Sequence, residues 1–246
     1  MSLATRDKKR SRNPVRTNRA ERQYQSSLSQ VARQVGSIIN GFPPGDPSVE
    51  PTITQMLNRY AELLNDWAVS TASKMIVEVN QQDRKAWATL TEQMSQALRQ
   101  EIRTAPTGQV MQQRLAEQVT LIKSIPLDAA KRVHELTLQG IEDGTRASEI
   151  AKEIQRSGEV SESKAKLIAR TEVARTASAL TEARAMSVGS EGYIWRTSGD
   201  SDVRHSHAEM NGKFVRWDSP PTLDKMTGHA GAFPNCRCYP EPVIPE

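Results

Sequence analysis

The sequence predicts a mainly α protein: an elongated helical body followed by a small C-terminal β-rich (α+β) module. Three observations carry that reading. Apolar residues recur at three- and four-residue spacing through most of residues 26–189, the period of one helix face. The 246 residues are lean in apolar side chains, 37% hydrophobic and 4% aromatic with a mean hydropathy of −0.61, which suits extended or solvent-bridging helices. After Gly189 the pattern changes to aromatic and β-branched runs bounded by turn residues.

The elements follow in order. Residues 1–25 are expected to be a basic, disordered arm. Eight basic residues against Asp7 and Glu21 give residues 1–22 a balance of +6, which leaves −2 for the rest of a chain whose net charge is +4. Lys8, Lys9, Arg10, Arg12, Arg16 and Arg19 are the nucleic-acid-binding candidates, because clustered cations neutralise phosphates and release counterions. A solvated tail is the alternative. Residues 26–123 are a helical region. Within it Val31, Val35, Ile38 and Ile39 share one face, and GFPPGDPSVEP (41–51) is a linker or turn. Met56, Tyr60, Leu63, Leu64 and Trp67 continue the helical spacing, followed by Trp87, Leu90, Met94 and Leu98, then Met111, Leu115, Val119 and Ile122.

Residues 124–189 are the second helical part. SIPLDAAKRVHELTLQG (124–140) predicts a helix with Pro126 near its start and Gly140 as its C-cap. A short helix over 145–158 ends at Gly158, and a long alanine-rich helix over 161–189 is capped by Ser161 or Ser163. Residues 190–246 are the β-rich module, with strands at GYIWRTS (192–198) and KFVRWD (213–218) flanking a polar loop. Trp195 and Trp217, one on each strand, are core candidates.

Several classes are excluded at this level. No apolar run approaches the roughly 18 residues a membrane span requires. The basic N-terminus lacks the apolar stretch of a signal peptide, so synthesis is expected in a cytoplasm, where two cysteines imply no disulfide framework.

The chemistry is concentrated near the C-terminus. Of four histidines and two cysteines, only His134 lies outside the last 42 residues; His205, His207, His229, Cys236 and Cys238 lie inside them. Residues two apart on an extended segment face the same side, so Cys236 and Cys238 can present two sulfurs to one point, as can His205 and His207 their imidazoles. Such N and S donors suit tetrahedral zinc, and a structural zinc site is the first reading for all five. A disulfide within Cys-x-Cys closes a very small ring and is disfavoured. Three alternatives stay open. The cysteines could simply pack as small apolar groups, one could be a nucleophile paired with His207 or His229, or His207, Asn211 and Asp200 could serve a metal-dependent nuclease or toxin-like hydrolase. Arg170, Glu172 and Arg175 on the long helix read as a solvated or docking face.

Three ordered stretches carry a family resemblance: LIARTEVARTASALTEARA (167–185), GYIWRTSGDSDVRHSHAEMNGKFVRWDSPP (192–221) and FPNCRCYPEPV (233–243). Together they resemble the Mu F-like head morphogenesis proteins of tailed phages, also called minor head or minor capsid proteins. The resemblance spans about 125–243; residues 1–120 carry no family motif. It places Arg204, His207, Gly212, Cys236 and Cys238 at signature positions. Many relatives carry an arginine where Asp202 stands, and His205 and His229 are less tied to the pattern. The resemblance implies a non-enzymatic virion component in the capsid interior near the portal vertex, present in several copies and assembled in the host cytoplasm. Its implied partners are portal protein, scaffolding or major capsid protein, and packaged DNA, with no membrane.

Overall fold

The computed structural model describes residues 13–43, 46–90, 96–143 and 147–245. Lys8, Lys9, Arg10 and Arg12 lie outside the described residues. The helices are α1 (Asn18–Asn40), α2 (Glu50–Leu63), α3 (Asn65–Leu90), α4 (Gln96–Thr104), α5 (Thr107–Glu142), α6 (Ala147–Gln155), α7 (Ser157–Ser187) and the short α8 (His205–Met210). The strands are β1 (Gly192–Arg196), β2 (Phe214–Arg216), β3 (Thr222–Leu223), β4 (Met226–Thr227) and β5 (Tyr239–Val243). The fold is mainly α, with a small C-terminal antiparallel sheet, as the sequence predicts.

Two compact units share the chain. One takes residues 1–21, 75–114 and 170–246; the other takes 22–74 and 115–169. In the second unit α1 buries Leu28, Val31, Val35 and Ile39, the face its spacing marks out. The Tyr24 hydroxyl on α1 donates to the Gln118 side-chain oxygen of α5 at 2.9 Å, so a buried amide is satisfied rather than stranded.

Several local expectations are corrected. The arm ends sooner than residue 25: Val15 and Ala20 are buried and α1 begins at Asn18. Pro126 does not start a helix but lies inside α5. A proline there removes one helical bond and clashes with the preceding turn, about 3 kcal/mol. Burial of Ile122, Ile125 and Ala129 around it holds the helix together. Gly140 is no cap either. It lies within α5 where α6 crosses, and a Cβ there would stand 2.1 Å from Ile150 Cδ1. Gly158 opens α7 instead of closing a helix; a Cβ on it would meet the Cα of Gly36 on α1 at 3.2 Å. Both glycines mark close helix approach, which single-sequence reading confuses with helix termination.

In the first unit, β1 is the central strand of a sheet ordered β2-β1-β5, antiparallel throughout. The strand YPEPV escapes sequence detection because two prolines argue against a strand; β5 is an edge strand, where proline is tolerated. The β3–β4 hairpin turns through Asp224 and Lys225, both at positive φ (51° and 66°), the geometry of a two-residue primed turn. Tyr193 and Trp195, two apart on β1, are fully buried beside Val215, Trp217, Ala230 and Phe233. Trp87 of α3, Ile102 of α4 and Ala185 of α7 belong to the same apolar cluster. The boundary expected at 189/190 therefore falls inside a unit. Three short strands cannot enclose aromatic side chains of this size, and helical residues complete the enclosure.

Candidate metal centre

His207 is the third residue of α8, whereas the sequence reading put it in an extended loop. That changes its neighbours. Two helical steps turn about 200°, so His205 and His207 face opposite ways. His205 has a side chain 90% exposed and pairs with Glu209 at 3.5 Å, whereas His207 is buried. The predicted pairing of these two imidazoles is not formed. Edge-on contacts with Trp195 (centroids 5.6 Å apart) and Phe233 (4.8 Å) fix the His207 ring.

Cys236 and Cys238 arrive from a turn. Pro234 and Asn235 occupy its centre, Asn235 at φ 55°, and the Cys236 N–H closes it on the Phe233 carbonyl at 3.1 Å. Proline followed by asparagine at positive φ is the type II signature, so the P-N of FPNCRC specifies the bend. Beyond it both sulfurs point at the histidine: His207 Nδ1 lies 3.5 Å from Cys236 Sγ and 3.6 Å from Cys238 Sγ. The Cys238 N–H also approaches Cys236 Sγ at 3.4 Å. All three donor atoms lie within 4.8 Å of one another, and all three residues are buried. Both thiols are free. Cys238 donates its thiol proton to Cys236, which pulls Cys236 down to about 6 against the opposing effect of burial. The same bond, with burial, pushes Cys238 up.

The other imidazole nitrogen, Nε2, is buried with no hydrogen-bond partner, and the Asp224 carboxylate stands 4.0 Å away. Asp224 is held there by the primed turn and by the Ser206 hydroxyl, which donates to it at 3.0 Å. His229, the remaining candidate, is not in this group. Its Nδ1 is 3.2 Å from the Tyr193 hydroxyl, its Nε2 faces Glu182 at 3.9 Å, and burial lowers its pKa.

The helix α7 supports the turn: of the solvated or docking face expected there, Arg175 takes the docking role, and Thr171 and Ser178, which the sequence reading did not single out, join it. Thr171, Arg175 and Ser178 are spaced four and three apart, on one helix face. The Thr171 hydroxyl accepts the Asn235 N–H at 3.1 Å. Arg175 donates through Nε and a terminal nitrogen to the Ala232 carbonyl at 3.0 and 2.7 Å. Ser178 donates to the Ala230 carbonyl at 2.7 Å. Glu172, 3% exposed, pairs with Arg175 at 2.8 Å and faces Arg114 at 3.8 Å. The cue was available: small polar and arginine side chains at helical spacing on a helix otherwise rich in alanine. From the other side Arg204 donates to the Pro234 carbonyl at 2.9 Å.

The thiols and His207 line a polar cavity of about 240 Å³ together with Asp200, Arg204 and Arg237. Arg237, between the cysteines, pairs with Asp200 (3.0 Å) and Asp202 (2.9 Å). Asp202 thus has a partner of opposite charge. Asn211 accepts the Thr197 N–H at 3.1 Å, so two members of the nuclease trio are already engaged in structural bonds. Of the described basic candidates, Arg16 is exposed and Arg19 lies 3.6 Å from Glu78.

Residues 131–240 match the family model described as phage Mu protein F like protein. This segment is Mu F-like. It contains α7 from end to end, the three buried donors and the turn that carries the thiols. An uncharacterised protein of Haemophilus influenzae is 36% identical over 129 residues, covering 52% of this chain and 28% of that protein. An Enterococcus faecalis protein named NAD(+)--arginine ADP-ribosyltransferase EFV is 31% identical over 129 residues, covering 48% of this chain and 26% of that protein. The chain thus spans about a quarter of the length of these curated relatives. No solved structure matches.

Proposed function

We propose that the chain is a structural component of phage head morphogenesis, a minor head protein that works inside the capsid beside the portal. The observation that carries this is the Mu F-like segment over 131–240. The geometry is in keeping with it: α7 and Arg204 spend their polar groups holding a turn in place, the economy of a scaffold. Portal protein, scaffolding or major capsid protein and packaged DNA are the partners in this reading, with several copies per particle. Labelled protein located in intact particles tests it. Portal-proximal density within the shell is the expected result; absence of the protein from purified particles overturns it.

The N-terminal cations supply the DNA contact. Since Val15 and Ala20 are buried, the informative deletion is residues 1–12, which leaves the helical entry intact. It removes Arg6, Lys8, Lys9, Arg10 and Arg12 against Asp7. Duplex DNA affinity is expected to fall at low salt, with a shallower salt dependence. Unchanged affinity and slope would assign the arm to another partner.

The Enterococcus relative favours a second reading, an enzyme acting on NAD(+) and arginine side chains. The structural reading is preferred because about three quarters of that relative lies outside the match. Transfer of label from NAD(+) to a polyarginine acceptor by the purified chain would reverse that preference.

A further inference from the structure

The three buried donors have a geometry that hydrogen bonding among themselves does not explain. An imidazole Nδ1 carries either one proton or one lone pair, so it satisfies one neighbour at a time. Here two sulfurs approach the same nitrogen at nearly equal distances, 3.5 and 3.6 Å. With Zn–S of about 2.3 Å, Zn–N of about 2.05 Å and tetrahedral angles, a bound zinc sets its sulfur–nitrogen separations at about 3.6 Å. Both sulfur–nitrogen distances stand at the separation that one shared ion requires, and all three donor atoms lie within 4.8 Å of one another.

The surroundings supply the remaining features of such a site. If Nδ1 is a ligand, Nε2 carries the proton, and a metal-bound histidine ordinarily directs that N–H to a carboxylate or carbonyl. His207 Nε2 is the buried, unpartnered atom, and it faces the Asp224 carboxylate at 4.0 Å. Two thiolates and an imidazole select a soft or borderline divalent ion; Mg²⁺ and Ca²⁺ call for oxygen donors. A fourth direction is left to the polar cavity of about 240 Å³ that the same three residues line.

We infer that the chain holds one divalent ion of the zinc class through His207 Nδ1, Cys236 Sγ and Cys238 Sγ, with a solvent molecule from the cavity in the fourth position. The ion ties α8 to the segment after the Pro234–Asn235 turn, whose far side α7 already grips. The assignment is independent of the head-assembly reading, because it stands on donor geometry alone. It narrows the five candidates of the sequence to three and adds Asp224 as the residue that orients His207.

Cobalt titration of the full-length chain, stripped with chelator and kept reduced, tests it. One equivalent per chain is expected, with tetrahedral d–d absorption and a sulfur-to-cobalt charge-transfer band that zinc bleaches. His205→Ala and His229→Ala keep the full spectrum. His207→Ala and the double variant Cys236→Ser/Cys238→Ser lose it. Asp224→Asn keeps the band shape and weakens zinc binding about ten- to a hundredfold. Because the cysteine variant could lose its fold, Asp224→Asn and His205→Ala are read beside it: Asp224 is exposed, and His205 lies on the opposite side of α8. Three results overturn the assignment: a wild-type chain that takes up no cobalt, a charge-transfer band that survives loss of both cysteines, or loss of the band in His205→Ala or His229→Ala.

Discussion

Asp83 on α3 is fully buried, and its carboxylate takes the Arg184 guanidinium on one oxygen and the Thr181 hydroxyl, at 2.6 Å, on the other. Arg184 also donates to the Asn80 side-chain oxygen at 2.7 Å. Burial outweighs the attraction of Arg184 and pushes the Asp83 carboxyl up to about 6, so the pair itself adds little stability. Leaving one member alone is what costs. Asp83→Ala, which strands the arginine, is expected to lower unfolding free energy by about 3–5 kcal/mol. Asp83→Leu/Arg184→Met should recover most of that in urea titrations. The pH dependence has a definite sign. The unfolded chain releases this proton near 3.8 and the native state only near 6. Native protein therefore binds more protons between those values, and the contribution of Asp83 falls as pH rises through that window. The double variant should lack that part of the slope; an identical slope in both proteins would show that Asp83 ionises normally in the fold.

At the scale of elements, α7 shows what pattern reading recovers and what it loses. Its existence and C-terminal end were legible from alanine-rich periodicity and Gly189. Its start was not, because Gly158 signals a stop in sequence and a close helix approach in space. Its purpose was also hidden, since a polar face at helical spacing looks the same whether it meets water or a turn 57 residues downstream, as Arg175 does with Ala232. α8 is hidden for a related reason: a six-residue segment between turns, with only Ala208 and Met210 apolar, is too short to show an apolar period, so pattern reading gives His205 and His207 an extended geometry. The grip of α7 is open to measurement. Thr171→Val and Ser178→Ala each strand one backbone group of the 230–235 segment and are expected to cost about 1–3 kcal/mol. Arg175→Met breaks two bonds and leaves buried Glu172 with less compensation, so its cost should exceed either. Tryptophan fluorescence in urea reads all three. If Arg175→Met were the mildest, the helix would not be holding the turn.

For the whole molecule, the informative feature is that chain order and compact units disagree. One unit is assembled from 1–21, 75–114 and 170–246, and no single cut in the sequence releases it. The change of composition at Gly189 marks a change of secondary structure, which local residue types dictate. Unit boundaries depend on which distant residues complete a core, and that information is not local. Trp87 and Ile102, more than eighty residues upstream of the sheet, belong to the cluster that encloses Tyr193, Trp195, Trp217 and Phe233. Removing them opens one wall of that cluster. Fully burying a phenylalanine-sized side chain is worth roughly 1.5–3 kcal/mol, and a module of 57 residues has a net stability of only a few. The segment 190–246 expressed alone, with or without zinc, is therefore expected to lack near-ultraviolet circular dichroism and a cooperative thermal transition. A full-length chain carrying Trp87→Ala should retain a cooperative transition, at lower temperature, with its unfolding free energy reduced by the roughly 3–5 kcal/mol typical of such core truncations. A sharp transition in the isolated segment would mean that the sheet, the hairpin and their metal ligands form a self-sufficient domain, and that the helical residues only decorate it.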